Sequence, residues 1–188
     1  YPQTARAWDG ELVTAGTLLD DLRRGYVAAL QPHVQELAER LAGLGPVELV
    51  YQRGWHQERD FAQILERHWQ GDRERGFTAS GPHRADLRIR LAGRDAADSV
   101  SRGQQKLLVT ALVLAQTRLF QERSGRAGIL LLDDLPAELD RGHRQRLIAL
   151  LDDLHAQVFV TAIEPEMLAV PADARRFHVE HGRVQGVV

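Results

Sequence analysis

Ser101-Arg102-Gly103-Gln104 opens an apolar helical run, and Ile129-Leu130-Leu131-Leu132 runs straight into the acid pair Asp133-Asp134. A serine hydroxyl and free backbone N–H groups at a helix N-terminus offer hydrogen bonds to an anion. Aliphatic residues leading into two carboxylates read as a buried strand that delivers acids to its carboxyl end, where open α/β sheets bind ligands. The first stretch suits phosphate oxygens; the second suits a hydrated Mg²⁺ and a water. Together they are the parts of half an ATP site. The other half, a phosphate loop of the form G-x-x-x-x-G-K-[ST], does not occur in the sequence. Taken singly, each stretch also fits plain structure: Ser101 is a preferred helix cap, and Asp133-Asp134 could cap the turn into Pro136. Their order and spacing, with Ala137-Glu138-Leu139-Asp140 directly after the strand, favour chemistry.

The elements that must position these residues follow from periodicity. From about Gly10 to Leu44 the residues Ala15, Leu19, Leu22, Tyr26, Leu30, Val34, Leu37, Leu41 and Leu44 recur at spacings of three and four. That is one apolar stripe on a long helix, which Pro32 is expected to kink or split. A strand over Val47–Tyr51 and a helix over 58–70 follow, and then a strand in which Leu87, Ile89 and Leu91 alternate with Arg88 and Arg90. Ala92-Gly93-Arg94-Asp95 turns the chain. The remaining expectation is a helix from Gly103 to about Phe120, a buried strand at 129–132 and a helix over 141–154. A strand at 158–161, a short helix near Pro165 and a hairpin around His181-Gly182 complete it. Strands alternating with helices make this an α/β half-domain, with the long helix as a separate arm.

Composition bounds the function classes. With 188 residues and 44% hydrophobic content the chain supports one good core, and a net charge of −2 gives no global basic field for nucleic acid. Local basic clusters remain at Arg73-Glu74-Arg75, Arg88/Arg90 and Arg123/Arg126. Gly81-Pro82-His83-Arg84 is either a phosphate-facing pair or a turn with solvated side chains. The absence of cysteine excludes disulfides and thiolate metal sites and suits a cytoplasmic protein. No apolar run approaches the roughly 20 residues of a membrane span. A chain that begins at Tyr1 is expected to be a piece of a longer protein.

The combined motifs resemble the second half of an ABC-type ATPase head: signature motif, Walker B strand and D-loop. Within that class they are most similar to the RecF-like branch of the ABC/SMC-type ATPases. The residues that carry the likeness are Gly81–Leu87, Ser101–Leu108, Leu132–Asp140, Gln157–Ala162 and the opening Trp8-Asp9-x-x-Leu12, so it spans essentially the whole chain. It implies the C-terminal half of an ABC/SMC-type head, with residues 1–45 in a helical arm and 46–188 in the head lobe. It implies that Asp133 holds the water shell of Mg²⁺. Asp134 then takes the place where such enzymes usually carry a water-orienting glutamate. Ser101, Arg102, Gly103 and Gln104 meet the γ-phosphate of ATP held by the opposite subunit, and Asp140 is the D-loop acid. Ala162 stands where transporters of the class place a switch histidine, which points to slow turnover.

The same resemblance implies ATP-dependent homodimerisation and binding of DNA at gaps or single-strand–duplex junctions. It implies work with RecR and RecO to load RecA. Arg73, Arg75, Arg88 and Arg90 are the candidate DNA contacts. Without a phosphate loop these residues alone are expected to be inactive. The competing readings are a different ABC/SMC-like repair ATPase, or a partner-binding scaffold that keeps the fold without turnover.

Overall fold

The computed structural model describes residues 6–135, 139–164, 171 and 174–187. The expected helix near Pro165 and the segment Pro136–Glu138 lie outside the described residues. The chain divides into two compact units, residues 1–125 and 126–188.

In the first unit a single helix, α1, runs over Asp9–Ala42 with Pro32 inside it, so the expected split does not occur. A proline in a helix interior removes one hydrogen bond and costs about 3 kcal/mol. Leu30, Val34, Leu37 and Leu41 bracket it and are each no more than 2% exposed. Burying such side chains contributes about 1.5–3 kcal/mol apiece, which outweighs the local loss. The apolar stripe divides at this point. Leu19, Leu22 and Tyr26, on the N-terminal half, are exposed.

Strand β1 (Val47–Gln52) pairs antiparallel with β2 (Asp86–Leu91), which pairs with the two-residue β3 (Arg94–Asp95). The segment expected only to turn the chain is thus a tight hairpin. Ala92 (φ 49°) and Gly93 (φ 80°) form the turn, and Arg94 and Asp95 return onto β2. The outer edge of β1 is met by side chains of α1. Gln31 donates to the Val47 carbonyl (2.8 Å) and accepts from Leu49 N (2.7 Å), while Gln35 accepts from Val47 N (2.7 Å). Helix α2 covers Phe61–Arg75, starting and ending a few residues later than the periodicity placed it. A one-turn helix, α3 (Ala96–Ser99), leads into α4 (Arg102–Ser124), which packs along α1.

The second unit contains the parallel pair β4 (Ile129–Leu132) and β5 (Gln157–Val160), joined through helix α5 (Arg141–Asp153). A parallel pair needs such a crossover. The run 129–132 is a strand as expected but it is not buried on both faces: Leu130 is 7% exposed, whereas Ile129 and Leu131 are 65% and 76% exposed. Strand side chains alternate between faces, and among the described residues only one face of this pair is covered. A hairpin of β6 (Arg176–Glu180) and β7 (Arg183–Val187), turning at His181-Gly182 as expected, ends the unit.

Candidate functional site

Ser101 is the N-cap of α4, held in an extended conformation at φ −68° and ψ 162°. Its hydroxyl accepts from the Gln104 backbone N–H (3.2 Å), and the Gln104 side-chain oxygen accepts from the Ser101 N–H (2.9 Å). This reciprocal capping box satisfies two of the orphan donors at the helix start. A Cβ on Gly103 would meet only the Ser101 Oγ, at 4.0 Å, so the first turn presents its backbone without crowding. Residues Ser101 to Gln104 are all exposed. The turn is therefore an open, dipole-bearing helix start whose serine and glutamine are mutually anchored.

The acid pair lies at the carboxyl end of β4. Asp134 has φ 43°, a left-handed conformation that an aspartate tolerates better than most residues. Its backbone N–H donates to Thr161 Oγ1 (2.8 Å), and the same hydroxyl donates to Asp133 Oδ1 (2.5 Å). Thr161 follows β5 directly, and its backbone N–H donates to the Leu132 carbonyl (2.9 Å). Leu135 N donates in turn to the Thr161 carbonyl (3.3 Å). One threonine thus ties both acids to the neighbouring strand. The sequence motifs place Thr161 at a strand end without a role; its signal is a hydroxyl one residue past a strand that pairs with the acid-bearing one.

Asp140 caps α5. Oδ1 accepts from the His143 backbone N–H (3.0 Å) and Oδ2 contacts His143 Nδ1 (2.5 Å). These contacts, the backbone N–H first and the imidazole second, hold the Asp140 carboxyl below its ordinary value. No sequence motif singles out His143.

Asp133 Oδ2 makes no hydrogen bond among the described residues, and no group of three or more acidic or imidazole side chains there could cage a metal. A single open carboxylate oxygen is compatible with a magnesium held mainly by phosphates and water. The residues present fit that ion.

Of the four candidate DNA contacts, Arg73 and Arg75 lie in the last turn of α2, and Arg75 pairs with Asp72 at 2.8 Å. Arg88 and Arg90 alternate on β2, and Arg90 lies 3.8 Å from Glu48. All four are exposed. Gly81-Pro82-His83-Arg84 forms a 3₁₀ turn against the N-terminal half of α1: Arg23 donates to the Pro82 carbonyl (2.7 Å), Gly81 N to the Gly54 carbonyl (2.9 Å), and the His83 ring bonds the Thr78 carbonyl (2.8 Å). Much of this motif is spent on packing.

The model of the RecF/RecN/SMC N terminal domain matches residues 26–185. The chain belongs to the RecF/RecN/SMC family. It is 44% identical over 187 residues to the DNA replication and repair protein RecF of Pseudomonas aeruginosa (strain UCBPP-PA14), covering 97% of this chain and 51% of that protein. It is 45% identical over 186 residues to the RecF of Chromohalobacter salexigens, covering 97% of this chain and 52% of that one. The chain thus spans about half the length of the curated relatives it matches. A solved structure of the recombination mediator protein RecF-ATPrS in the RecFOR pathway superposes with a TM-score of 0.82 at 20% identity, over all of this chain and 52% of that one. The α/β architecture expected for part of an ABC/SMC-type head is therefore the fold of this RecF/RecN/SMC family member. Among the described residues no helix is long and apolar enough to cross a membrane.

Proposed function

We propose that this RecF/RecN/SMC family chain supplies the signature, Walker B and D-loop half of a RecF-like ATPase head. Residues 1–45 belong to its helical arm and 46–188 to its head lobe. The observation that carries the reading is the Asp133–Asp134 turn at the carboxyl end of β4, with one Asp133 oxygen anchored and the other open. Asp133 holds the water shell of Mg²⁺, and Asp134 orients the water that attacks ATP. When bound, the magnesium–nucleotide supplies a polarised γ-phosphoryl group whose transfer to water is driven by positioning and charge stabilisation. Ser101, Arg102, Gly103 and Gln104 serve the nucleotide of a second copy through the open start of α4. Asp140 communicates between copies. The exposed apolar face of β4 and β5, with Ile129, Leu131 and Phe159, is the surface on which the rest of such a head would pack.

In this reading the full-length protein dimerises on ATP, engages DNA at gaps and single-strand–duplex junctions, and works with RecR and RecO to load RecA. It acts in the cytoplasm. Arg73, Arg75, Arg88 and Arg90 contact DNA phosphates. The competing reading, a scaffold without turnover, is favoured by one observation: no phosphate loop of the form G-x-x-x-x-G-K-[ST] occurs in these residues.

Calorimetry separates them. These 188 residues alone, lacking a phosphate loop, are expected not to bind Mg²⁺–ATP in the micromolar range, whereas the full-length protein binds and slowly hydrolyses it. Asp134→Asn then slows hydrolysis on the order of a hundredfold and traps the ATP-bound dimer. Full-length protein that binds ATP without hydrolysing it leaves the scaffold reading, whereas an unchanged rate with Asp134→Asn refutes the role given to Asp134. Titrating gapped DNA at several salt concentrations tests the nucleic-acid part. Each phosphate neutralised steepens the slope by about 0.9, so the ATP-bound dimer shows the steeper salt dependence.

A further inference from the structure

The Thr161 side chain holds two bonds at once. A hydroxyl has one donor and two acceptor positions. Because the Asp134 N–H fills one acceptor position at 2.8 Å, the hydroxyl proton is directed to Asp133 Oδ1 at 2.5 Å, within the range of a charge-assisted bond to a carboxylate. The backbone of Thr161 is pinned independently, through the Leu132 carbonyl and the Leu135 N–H. Removing the hydroxyl therefore leaves the strand ends joined and frees only the acids. A carboxylate without such an anchor rotates and presents either oxygen. Anchored by Oδ1, it presents Oδ2 in one orientation. Asp134 is meanwhile held in a left-handed turn at φ 43° by the bond to its own N–H.

We infer that the Thr161 hydroxyl is a positioning group for the acid pair, fixing the Asp133 carboxylate and the Asp134 peptide together so that Asp133 Oδ2 faces the water shell of a magnesium–nucleotide. This rests on the reading of Asp133 and Asp134 as the magnesium and water acids. It assigns to Thr161 an organising role at the strand end where the sequence carries alanine, at 162, in place of the switch histidine.

The test compares Thr161→Val and Thr161→Ser with wild type in the full-length protein. Valine keeps the shape and strand preference of threonine without the hydroxyl; serine restores the hydroxyl. Amide exchange at Asp134, followed by NMR without nucleotide, reads the anchor directly. Calorimetry with ATP reads its consequence, once with Mg²⁺ and once with EDTA. Thr161→Val is expected to speed Asp134 exchange about tenfold or more and to weaken the Mg²⁺-dependent part of ATP binding about 10- to 100-fold. Binding in EDTA is unchanged, and Thr161→Ser matches wild type in all three. Wild-type exchange or wild-type Mg²⁺-dependent affinity in Thr161→Val overturns the inference, as does an equal loss in EDTA. If wild type binds no ATP, the nucleotide reading fails, and the exchange rates still decide whether the hydroxyl holds the acids.

Discussion

Arg53, one residue past β1, places its guanidinium 3.1 Å from the carboxylate of Asp20, which is only 1% exposed on α1. Tyr51 donates to the same carboxylate at 3.0 Å, and Arg24 reaches it from the next turn at 2.9 Å. Burial first, and the bond to Asp20 second, push the Tyr51 phenol up, while the Asp20 carboxylate raises Arg24. Arg53 also lies 4.3 Å over the ring of Trp55, which stacks on Phe61. A single buried acid therefore fastens the N-terminal half of the long helix to the sheet and to the aromatic cluster that begins α2.

Asp20→Ala leaves Arg53 beside an empty, buried position. Breaking a buried pair by removing one partner costs about 3–5 kcal/mol. The partly open Arg53 puts the expected loss at the low end, read as a lowered urea midpoint with an unchanged slope. A loss within experimental error would mean that the carboxylate is not holding the two elements together.

Ser101 admits two substitutions that separate cap from chemistry. Ser101→Ala removes the hydroxyl that accepts from Gln104 N and should cost about 1 kcal/mol of stability. Ser101→Asp is an equally good cap, so its melting temperature should stay near wild type. In the proposed dimer of the full-length protein its charge repels a γ-phosphate, so ATP-driven dimerisation followed by light scattering should disappear. An aspartate variant that dimerises normally would show that this helix start does not meet nucleotide.

Asp140 gives the acid side of the stability curve a specific contributor. Its folded value lies below the ordinary 3.8, so its stabilising effect is complete above that value. The effect is lost as pH falls through the lower folded value. Asp140→Asn keeps a capping side chain and cannot titrate, so its melting temperature should fall less than wild type's between pH 5 and pH 3. Parallel curves would exclude the Asp140–His143 contact as a source of that pH dependence.

Glycines on and near α1 should respond in opposite directions. A Cβ at Gly25 meets nothing within 4 Å, so Gly25→Ala should stabilise the helix by roughly 0.5–1 kcal/mol. A Cβ at Gly54 would lie 1.8 Å from the Gly81 carbonyl oxygen, where rigid backbone faces rigid backbone. Gly54→Ala should cost about 3 kcal/mol or more, since it forces apart the turn that Gly81 N–H and the Gly54 carbonyl close. Thermal melts of the two variants check both signs.

Local rules made much of this chain legible. The Ser-x-Gly-Gln turn, the aliphatic strand ending in two acids, and the glycine turns at 93 and 182 each announce themselves within a few residues. What stayed hidden depends on partners far apart in sequence. Pro32 reads as a break because the burial of Leu30 and Val34 is not visible locally. Asp20 carries no sequence motif, and its role depends on Arg53 and Tyr51 folding against it. Ile129 and Leu131 read as core because hydrophobicity says what a residue prefers, whereas exposure depends on which layers are present. Thr161 is silent until the parallel register sets Val160 beside Leu132 and brings its hydroxyl to Asp133.

The glutamines on α1 have one more consequence. Gln31 and Gln35 stand one helical turn apart, about 6 Å along the axis, close to the roughly 6.8 Å between alternate residues of a strand. Their amides can therefore occupy Val47 and Leu49 in step, as a neighbouring strand would. An uncovered strand edge is a template for pairing with other molecules, and proteins that leave one open aggregate through it. Here the long helix doubles as a guard. Replacing both glutamines with leucine would strip the edge of its partners and turn the chain toward intermolecular β-assembly.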